Sequence, residues 1–415
     1  MNYLQRAERL MNRINELAAI SEDENCITRV YGSKAFLAGR NKIEQWMDET
    51  GLQTRVDNIG NVRGRLPSPN PAAKTFVIAS HIDTVNNAGR FDGSLGVLAG
   101  LDIIEQLMSL KTHLPFHIEL IGFCDEEGCR FHTTYLGSKV VAGCFDNGSL
   151  ALTDNAGISL GELVRENGGN INQLGQDAIP RHEWLGYYEI HIEQGPVLYE
   201  KNIPIALVKA IAGQYRAVIS FIGEAGHAGT VPMNMRKDAL ACAAEFILVT
   251  EAFAKQHEGE LLATVGKLDI AHAAANVIPG EVHCSIDFRS EHKEFLSFAI
   301  ASLKTLAHDI GQKRNCKIVW NPVQYNDPVK CDEELTQLLS ASIAGCNRQL
   351  VELVSGAGHD AVPVSTVSPV AMLFVRCFKG ISHNPLENVE PADIAAAIEV
   401  SDNFMQLLLH NIKTK

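Results

Sequence analysis

The sequence predicts an α/β fold in which a mixed sheet is interrupted by a smaller inserted domain. In the first half of the chain, amphipathic helices alternate with short apolar strands, and this order favours a partly parallel sheet covered by helices. Around residue 212 the predicted order changes to βαββαβ, which is the ferredoxin-like arrangement. The predicted domains are therefore a discontinuous larger domain, residues 1–211 and 327–415, and an inserted domain, residues 212–326.

The elements of the larger domain follow from the spacing of apolar residues. Helices are predicted where that spacing is helical, over residues 3–20, 33–49, 96–110, 332–344 and 391–410. Strands are predicted at short apolar or alternating runs, over residues 53–57, 61–66, 75–80, 117–124, 187–192 and 368–374. The first two strands flank an Asn-Ile-Gly turn, so we expect them to form a hairpin.

The inserted domain is predicted from a second set of patterns. Its strands are expected over residues 215–222, 262–270, 282–289 and 317–320, and its helices over residues 235–256 and 293–310. In the third strand, Val282, Cys284, Ile286 and Phe288 alternate with polar residues. This alternation is typical of a strand with one buried face.

Composition narrows the possible partners and location. The 415-residue chain has a net charge of −13 and no basic block, which argues against nucleic acid or an anionic membrane surface as the main partner. The N-terminus lacks the apolar core of a signal peptide, and no apolar run approaches the length of a membrane span, so a cytoplasmic location is expected. The ten cysteines are scattered without a C-x-x-C pair, which favours free thiols over a zinc finger.

The first candidate site lies in the stretch SHIDTVNNAGRFDGSL, residues 80–95. A predicted buried strand leads into His81 and Asp83, and Asp92 follows in a polar loop flanked by glycine. Sites of α/β enzymes are commonly built at the carboxyl ends of strands. We therefore expect His81 and Asp92 to bind a metal ion and Asp83 to hold His81 in place.

Further candidates lie at the ends of other predicted strands. Glu126 and Glu127 follow one strand, His191 closes another, and His383 follows the last. If these strands are parallel neighbours, their ends meet at one edge of the sheet. Histidines and carboxylates in this number suit zinc, manganese or cobalt, and one carboxylate can bridge two ions. Adjacent glutamates on an extended chain point in different directions, so one can bind metal while the other acts as a general base.

Each of these residues has a simpler interpretation when it is taken alone. A histidine at a strand end is most often a polar cap, and a Glu-Glu pair is usually solvated surface. The position of all of them at the exits of apolar strands is what favours a metal site over these interpretations.

The inserted domain offers residues suited to binding a substrate. His227 lies among small residues in GHAGTVPM, Asn276 lies in a loop before a strand, and Arg289 ends that strand. A guanidinium together with an amide would suit a substrate carboxylate. The alternatives are a Gly-rich turn around His227 and an internal salt bridge between Arg289 and Asp287. The SGAGHD loop, residues 355–360, is either an anion-binding or amide-binding loop or an ordinary tight turn.

Together these segments resemble the metal-dependent M20 peptidase and amidohydrolase family. The matching stretches run in order from residue 80 to residue 385: SHIDTV, GRFDGSLG, DEEGCRF, HIEQGPVL, GHAGTVPM, NVIPG, DFR, SGAGHDA and GISHNP. Within the family they are similar to the branch that contains allantoate amidohydrolases, N-carbamoyl-L-amino acid hydrolases and β-ureidopropionase-type enzymes. HIEQGPVL, SGAGHDA and GHAGTVPM are specific to this branch, so the resemblance implies its fold, with the inserted domain as a lid and dimerisation domain.

The resemblance also implies a centre of two divalent metal ions, Mn²⁺ or Zn²⁺. Asp92 would bridge the two ions. His81 and His191 would complete one site, and Glu127 and His383 the other. This sequence shows no departure from the family at these metal positions.

The resemblance implies catalytic and substrate-binding roles for the remaining candidates. Glu126 would be the general base, and Asp83 would orient His81. His227 would stabilise the oxyanion, reaching in from the partner subunit of a homodimer. The substrate carboxylate would be held by Asn276 and Arg289, and the ureido pocket would be lined by Gln194, Gly356 and Ala357.

The implied reaction is hydrolysis of a ureido C–N bond by a metal-bridging hydroxide. The segments FCDEEGCRFHTTYLGS and MLFVRCFKGISHNP look closer to allantoate amidohydrolases, so the expected substrate is allantoate, with ammonia, carbon dioxide and ureidoglycine as products. The alternative is an N-carbamoyl-L-amino acid hydrolase on the same scaffold. An M20 dipeptidase is disfavoured by the branch-specific segments, and a metal-free binding protein is disfavoured by the intact ligand set.

Overall fold

The computed structural model describes residues 2–414, which fall into two compact units. The larger unit comprises residues 2–209, 331–353 and 357–414. The smaller unit comprises Ala210–Lys330 and Val354–Gly356. Helices and a large mixed sheet are both present, which confirms the predicted α/β class.

Helices and strands are interspersed along the whole of the described chain. The helices are α1 (Tyr3–Ala18), α2 (Lys34–Thr50), α3 (Ser94–Ser109), α4 (Leu136–Val141), α5 (Leu160–Glu166), α6 (Val197–Lys201), α7 (Ala239–Gln256), α8 (Lys293–Lys313), α9 (Glu333–Gly345), α10 (Ala361–Val364) and α11 (Pro391–Thr414). The strands are β1 (Gln53–Val56), β2 (Val62–Leu66), β3 (Thr75–His81), β4 (His117–Phe123), β5 (Trp184–Ile192), β6 (Ile205–Ile211), β7 (Gly213–Ile222), β8 (Gly226–His227), β9 (Leu262–Ile270), β10 (Val277–Ile278), β11 (Glu281–Ser290), β12 (Lys317–Asn326), β13 (Val329–Lys330), β14 (Glu352–Ser355) and β15 (Val370–Val375).

Local signals explain where the helices begin and end. At the start of α2, the Ser33 side chain accepts a hydrogen bond from the N–H of Phe36, and Gly51 ends that helix with a left-handed φ of 88°. Asp238 caps α7 in the same way, accepting from two N–H groups of the first turn. Helix α7 therefore begins at Ala239 and not at the predicted residue 235.

The sheet of the larger unit brings four parallel strands together at its centre. Within this unit the strand order is β1-β2-β4-β3-β5-β15-β6. Strands β4, β3, β5 and β15 are parallel, with antiparallel β2 on one side and antiparallel β6 on the other. Both β3 and β4 are buried along their whole length, as expected of parallel strands covered on both faces. Strand β6 is absent from the predicted elements.

The register of the parallel strands aligns their carboxyl ends. His81 pairs with Phe123, and Phe374 pairs with His191. The loops that follow β3, β4, β5 and β15 therefore leave the same edge of the sheet. This edge is where the predicted metal ligands of the larger unit originate.

The smaller unit is a four-stranded antiparallel sheet covered by two helices. Its elements follow the chain order β7, α7, β9, β11, α8, β12, and the sheet order is β12-β7-β11-β9. Strand β12 continues to Asn326, beyond the predicted residue 320, with a register shift next to Pro322, which has no N–H to donate. On β11, the alternating apolar residues are buried against the helices: Val282, Cys284, Ile286 and Phe288.

Two expectations from composition can be compared with these units. None of the helices within residues 2–414 is long and apolar enough to cross a membrane. The cysteines are all free thiols, as predicted, and several of them lie in the core.

Candidate metal centre

His81, Asp92 and His191 converge at the edge where β3 and β5 end. The Nε2 atoms of His81 and His191 lie 3.3 and 3.1 Å from Oδ1 of Asp92. The two Nε2 atoms are 3.5 Å apart. All three side chains are at most 4% exposed, so the group is shielded from bulk water.

The hydrogen bonds of the two imidazoles fix which nitrogen faces the group. Nδ1 of His81 lies 3.0 Å from the main-chain oxygen of Asp83, and Nδ1 of His191 lies 3.0 Å from that of Ile192. A carbonyl oxygen only accepts, so each ring donates its Nδ1–H, and Nε2 of a neutral ring presents a lone pair. Oδ1 of Asp92 is buried and accepts no hydrogen bond. Three electron-rich atoms therefore face one another.

This arrangement fits a divalent cation. Ligand nitrogens at about 2.0–2.1 Å from a tetrahedral zinc ion lie about 3.4 Å from one another, close to the separations in this group. Burial alone would lower the pKa of His191, but the contact with Asp92 raises it above its ordinary value. The group therefore favours positive charge, which a metal ion supplies in place of protons.

A second group shares Asp92 with the first. Nε2 of His383 lies 3.3 Å from Oδ2 of Asp92 and 3.3 Å from Oε1 of Glu127. Those two carboxylates raise the pKa of His383 to about 10, because they favour the charged imidazole. One carboxylate of Asp92 thus presents one oxygen to each group, and the donor set again suits a divalent ion.

Glu126 and Asp83 lie beside the first group. A ligand atom of Glu126 lies within 4.8 Å of those of His81 and Glu127. The Asp83 carboxylate accepts hydrogen bonds from the N–H groups of Glu126 and Glu127, at 3.1 and 3.2 Å. Its Oδ1 is 3.7 Å from Nδ1 of His81, too far for a good hydrogen bond. Asp83 therefore supports His81 through its main-chain oxygen, while its carboxylate fixes the turn that carries both glutamates.

Polar partners surround the shared carboxylate. Oδ2 of Asp92 accepts hydrogen bonds from Nε2 of Gln194 at 2.8 Å and from Oγ of Ser382 at 2.6 Å. The structure thus places Gln194 against Asp92, and its role in a ureido pocket stays a prediction. Ser382 and its neighbour Glu387 were not among the sequence candidates, although both lie within five residues of His383.

Three residues at this edge adopt a backbone conformation that is uncommon for residues other than glycine. The φ angles of Asp125, Gln194 and His383 are 52°, 56° and 54°. Left-handed residues of this kind cost stability and cluster at functional sites, where the surrounding structure holds them in place. These three residues lie on separate loops at this edge, and nine other described residues besides glycine also have a positive φ.

His359 is a buried residue of the SGAGHD motif that the sequence did not single out. Its ring centre is 4.5 Å from that of His191, and its side chain, with those of Glu189 and His191, could contribute to a metal group. Burial lowers the pKa of His359 well below its ordinary value, which keeps the ring neutral. The SGAGHD motif could have pointed to His359, because this histidine directly follows the last glycine of the motif.

The smaller unit contains four of the predicted substrate-binding residues: His227, Asn276, Arg289 and Gly356. His227 and Asn276 are exposed and close, because β8 pairs with β10 and the N–H of Ala228 bonds to the main-chain oxygen of Asn276. Nδ1 of His227 accepts a hydrogen bond from the N–H of Gly229 at 3.1 Å, so its Nε2 is left to act as a donor. Their roles toward a substrate stay predictions.

Arg289 forms the internal salt bridge that was its alternative interpretation. Its guanidinium donates to both carboxylate oxygens of Asp287, at 2.8 and 3.0 Å, and to the main-chain oxygen of Gly356. Burial alone would raise the pKa of Asp287, but Arg289 and Arg216 lower it to about 2. Gly356 and Ala357 lie in the loop after β14, and their predicted contact with a ureido group stays a prediction.

The sequence is similar to known proteins over almost its whole length. The model of peptidase family M20/M25/M40 matches residues 77–407. Allantoate deiminase 2 from Glycine max is 37% identical over 95% of this chain and 88% of its own length. N-carbamoyl-L-amino acid amidohydrolase from Geobacillus stearothermophilus is 34% identical over 95% of this chain and 96% of its own. A crystal structure of an amidase of the hydantoinase/carbamoylase family from Burkholderia multivorans is 32% identical, covers 96% of this chain and 97% of its own, and superposes with a TM-score of 0.89.

Proposed function

This chain belongs to peptidase family M20/M25/M40 and is a hydrolase that acts on amide bonds, and we propose that its substrate is allantoate. The reaction would hydrolyse the ureido C–N bond and release ammonia, carbon dioxide and ureidoglycine. The observation that supports this choice is the 37% identity to an allantoate deiminase over 95% of the chain. The cluster around Asp92 supports a metal-dependent form of the reaction.

The proposed centre holds two divalent ions, Mn²⁺ or Zn²⁺. One ion would be held by His81, Asp92 and His191, and the other by Asp92, Glu127 and His383. When bound, such ions polarise the scissile carbonyl and lower the pKa of water at the site. Both donor sets mix imidazole and carboxylate, which either metal accepts.

In this proposal Glu126 is the general base. Its carboxylate is buried beside His81 and Glu127, and Asp83 fixes its main chain. It would take a proton from the attacking water and return it to the leaving nitrogen. Well-placed general bases of this kind contribute roughly 10²–10⁴-fold to the rate.

The smaller unit would supply the substrate-binding residues and act as a lid. The exposure of His227 and Asn276 leaves both side chains free to bind a ligand, with His227 stabilising the oxyanion. Arg289 would hold the substrate carboxylate, and Gln194, Gly356 and Ala357 would contact the ureido group. We propose a cytoplasmic homodimer in which His227 serves the site of the partner subunit.

An N-carbamoyl-L-amino acid is the second candidate substrate. It has the same two recognition elements as allantoate, a ureido group and a carboxylate, so the same residues could bind it. The observation that favours it is the 34% identity to an N-carbamoyl-L-amino acid amidohydrolase over 95% of the chain.

The two candidates are separated by a substrate comparison. Purified protein loaded with Mn²⁺ is incubated with allantoate and with a panel of N-carbamoyl-L-amino acids, and ammonia release is measured. An Asp92→Ala variant controls for contaminating activity, because it lacks the carboxylate that both metal groups share. We expect kcat/KM for allantoate to exceed that for every N-carbamoyl-L-amino acid, and turnover of the latter alone would refute the allantoate assignment.

A further inference from the structure

Glu387 is a buried carboxylate that the proposed mechanism does not use. It is 1% exposed and follows His383 in the chain. Its Oε1 accepts hydrogen bonds from the N–H groups of Phe91 and Asp92, at 2.6 and 3.1 Å. Its Oε2 lies 3.2 Å from the hydroxyl of Ser382. The side chain of this loop glutamate is therefore buried, and its carboxylate accepts a hydrogen bond from the main chain of Asp92, a predicted metal ligand.

These contacts join two distant segments of the chain. Ser382 also lies 2.6 Å from Oδ2 of Asp92, although the two residues are 290 positions apart in sequence. One segment carries Asp92, and the other carries His383. The second metal group needs a ligand from each of them, so its geometry depends on how firmly the segments are held together.

Gly89 makes room for Glu387. A Cβ atom added at Gly89 would lie 2.3–2.4 Å from Cδ, Cβ and Oε1 of Glu387, too close for any real contact. The backbone at Gly89 is not left-handed, so a larger residue could adopt its conformation. The glycine is therefore needed for the space that the Glu387 side chain occupies.

We propose that Glu387 is a positioning residue of the metal centre, which fixes Asp92 and His383 relative to each other. Its carboxylate accepts hydrogen bonds from the buried N–H groups of Phe91 and Asp92, beside the shared ligand, and so holds the main chain on which that ligand lies. Partners that orient metal ligands typically change metal affinity by 10–100-fold when they are mutated. This inference rests on the proposed function, because it presumes that the Asp92 group binds metal.

Metal affinity of the full-length chain tests the proposal. Mn²⁺ binding is measured by equilibrium dialysis and elemental analysis for wild type, Glu387→Ala and Glu387→Gln. We expect the Kd of the more weakly bound of the two Mn²⁺ ions to rise about 10–100-fold in Glu387→Ala. The rise should be smaller in Glu387→Gln, because the amide keeps one acceptor oxygen. At saturating Mn²⁺, the kcat of Glu387→Gln should return close to the wild-type value, since the residue acts through the metal ligands.

Asp177→Asn is the matched control variant. Asp177 is also a buried carboxylate of the larger unit that accepts a main-chain hydrogen bond, from the N–H of Asn58 at 2.9 Å. Its side-chain partners are Arg55 and Asn58, neither of which is a predicted ligand. We expect Asp177→Asn to bind Mn²⁺ with the affinity of wild type. If Asp177→Asn loses as much Mn²⁺ affinity as Glu387→Gln, removal of any buried carboxylate has the same effect and the proposal is overturned.

Gly89→Ala gives an independent test, because it displaces Glu387 without altering it. We expect Gly89→Ala to weaken Mn²⁺ binding to a similar extent as Glu387→Ala. The double variant, which combines Gly89→Ala with Glu387→Ala, should bind Mn²⁺ no more weakly than either single variant, because both substitutions remove the same contact. Fully additive losses would contradict the proposal. If Glu387→Ala does not fold, Glu387→Gln and Gly89→Ala decide the question.

The outcomes separate this inference from the proposed function. Wild-type protein that binds no stoichiometric Mn²⁺ or Zn²⁺ overturns both. Wild-type protein that binds metal, with unchanged affinity in Glu387→Gln and Gly89→Ala, overturns only the role of Glu387.

Discussion

The Nε2 atoms of His81 and His191 lie 3.5 Å apart in the protein interior, and both face Oδ1 of Asp92. Each ring uses its Nδ1–H on a main-chain oxygen, so the facing atoms of the neutral rings are all acceptors. Buried acceptors in contact repel one another unless a cation or added protons lie between them. This relationship is the physical basis for the proposed metal centre.

The first prediction concerns Glu126. Glu126→Ala and Glu126→Gln should keep the fold and the bound metal but lose turnover by roughly 10²–10⁴-fold, since the proton acceptor is removed while the predicted ligands stay. The measurement is kcat together with metal content per chain. Near-normal turnover in either variant would show that the base is misassigned.

The second prediction concerns the carboxylate of Asp83. In Asp83→Asn, the amide NH₂ opposes one of the two N–H groups of Glu126 and Glu127, so the turn shifts and kcat should fall about tenfold or more. The ion held by His81 should be retained, because the main-chain oxygen of residue 83 remains. Metal content and kcat are measured on the same preparation, and a fall in metal content with unchanged kcat per bound ion would contradict this division of roles.

The third prediction concerns Arg289. Arg289→Lys should raise KM for a carboxylate substrate about tenfold or more, because an ammonium cannot reproduce the planar fork of a guanidinium. Arg216→Lys is the control, since Arg216 also bonds to Asp287 but is not among the predicted substrate ligands. Equal effects of the two variants on KM would mean that Arg289 acts only through its salt bridge.

The fourth prediction concerns the acid stability that Asp287 provides. Its pKa of about 2 lies below the ordinary 3.8, because Arg289 and Arg216 outweigh the effect of burial. Because the pKa is lower in the folded state, the ionised Asp287 carboxylate stabilises the fold fully above about pH 4. This stabilisation is lost as the pH falls toward 2 and the carboxylate takes up a proton. The difference in thermal midpoint between wild type and Asp287→Asn should therefore shrink from pH 5 to pH 3. A difference that is constant over this range would show that the charge of Asp287 does not stabilise the fold.

The sequence predicts the candidate site best where histidine, aspartate or glutamate residues follow a buried strand. Strands β3 and β4 are mostly apolar and are buried along their whole length, so the polar residues that follow them stand out. The sequence predicts that His81 and His191 are close only if their strands are parallel neighbours, and the structure shows that β3 and β5 are parallel neighbours. Strand β6, read IALVKAI, is a similar run that could have been found in the same way.

The sequence was least informative where a contact joins distant segments. Glu387 is one glutamate among many in a polar loop, and nothing local distinguishes it from a solvated side chain. Its burial depends on Gly89, which lies nearly 300 residues earlier. The sequence also could not show that His81 bonds to the main-chain oxygen of Asp83. The spacing of two residues along the chain does not show whether the carboxylate or the main-chain oxygen makes the contact.

We propose that Asp92 binds both metal ions, and the number of ions bound per chain is the direct test of this proposal. Protein is stripped with a chelator, dialysed against Mn²⁺ and analysed for metal per chain, for wild type, His383→Ala and Asp92→Ala. We expect two ions per chain in wild type, about one in His383→Ala, and none in Asp92→Ala. A wild-type chain that binds no ion, or an Asp92→Ala chain that still binds two, would contradict it.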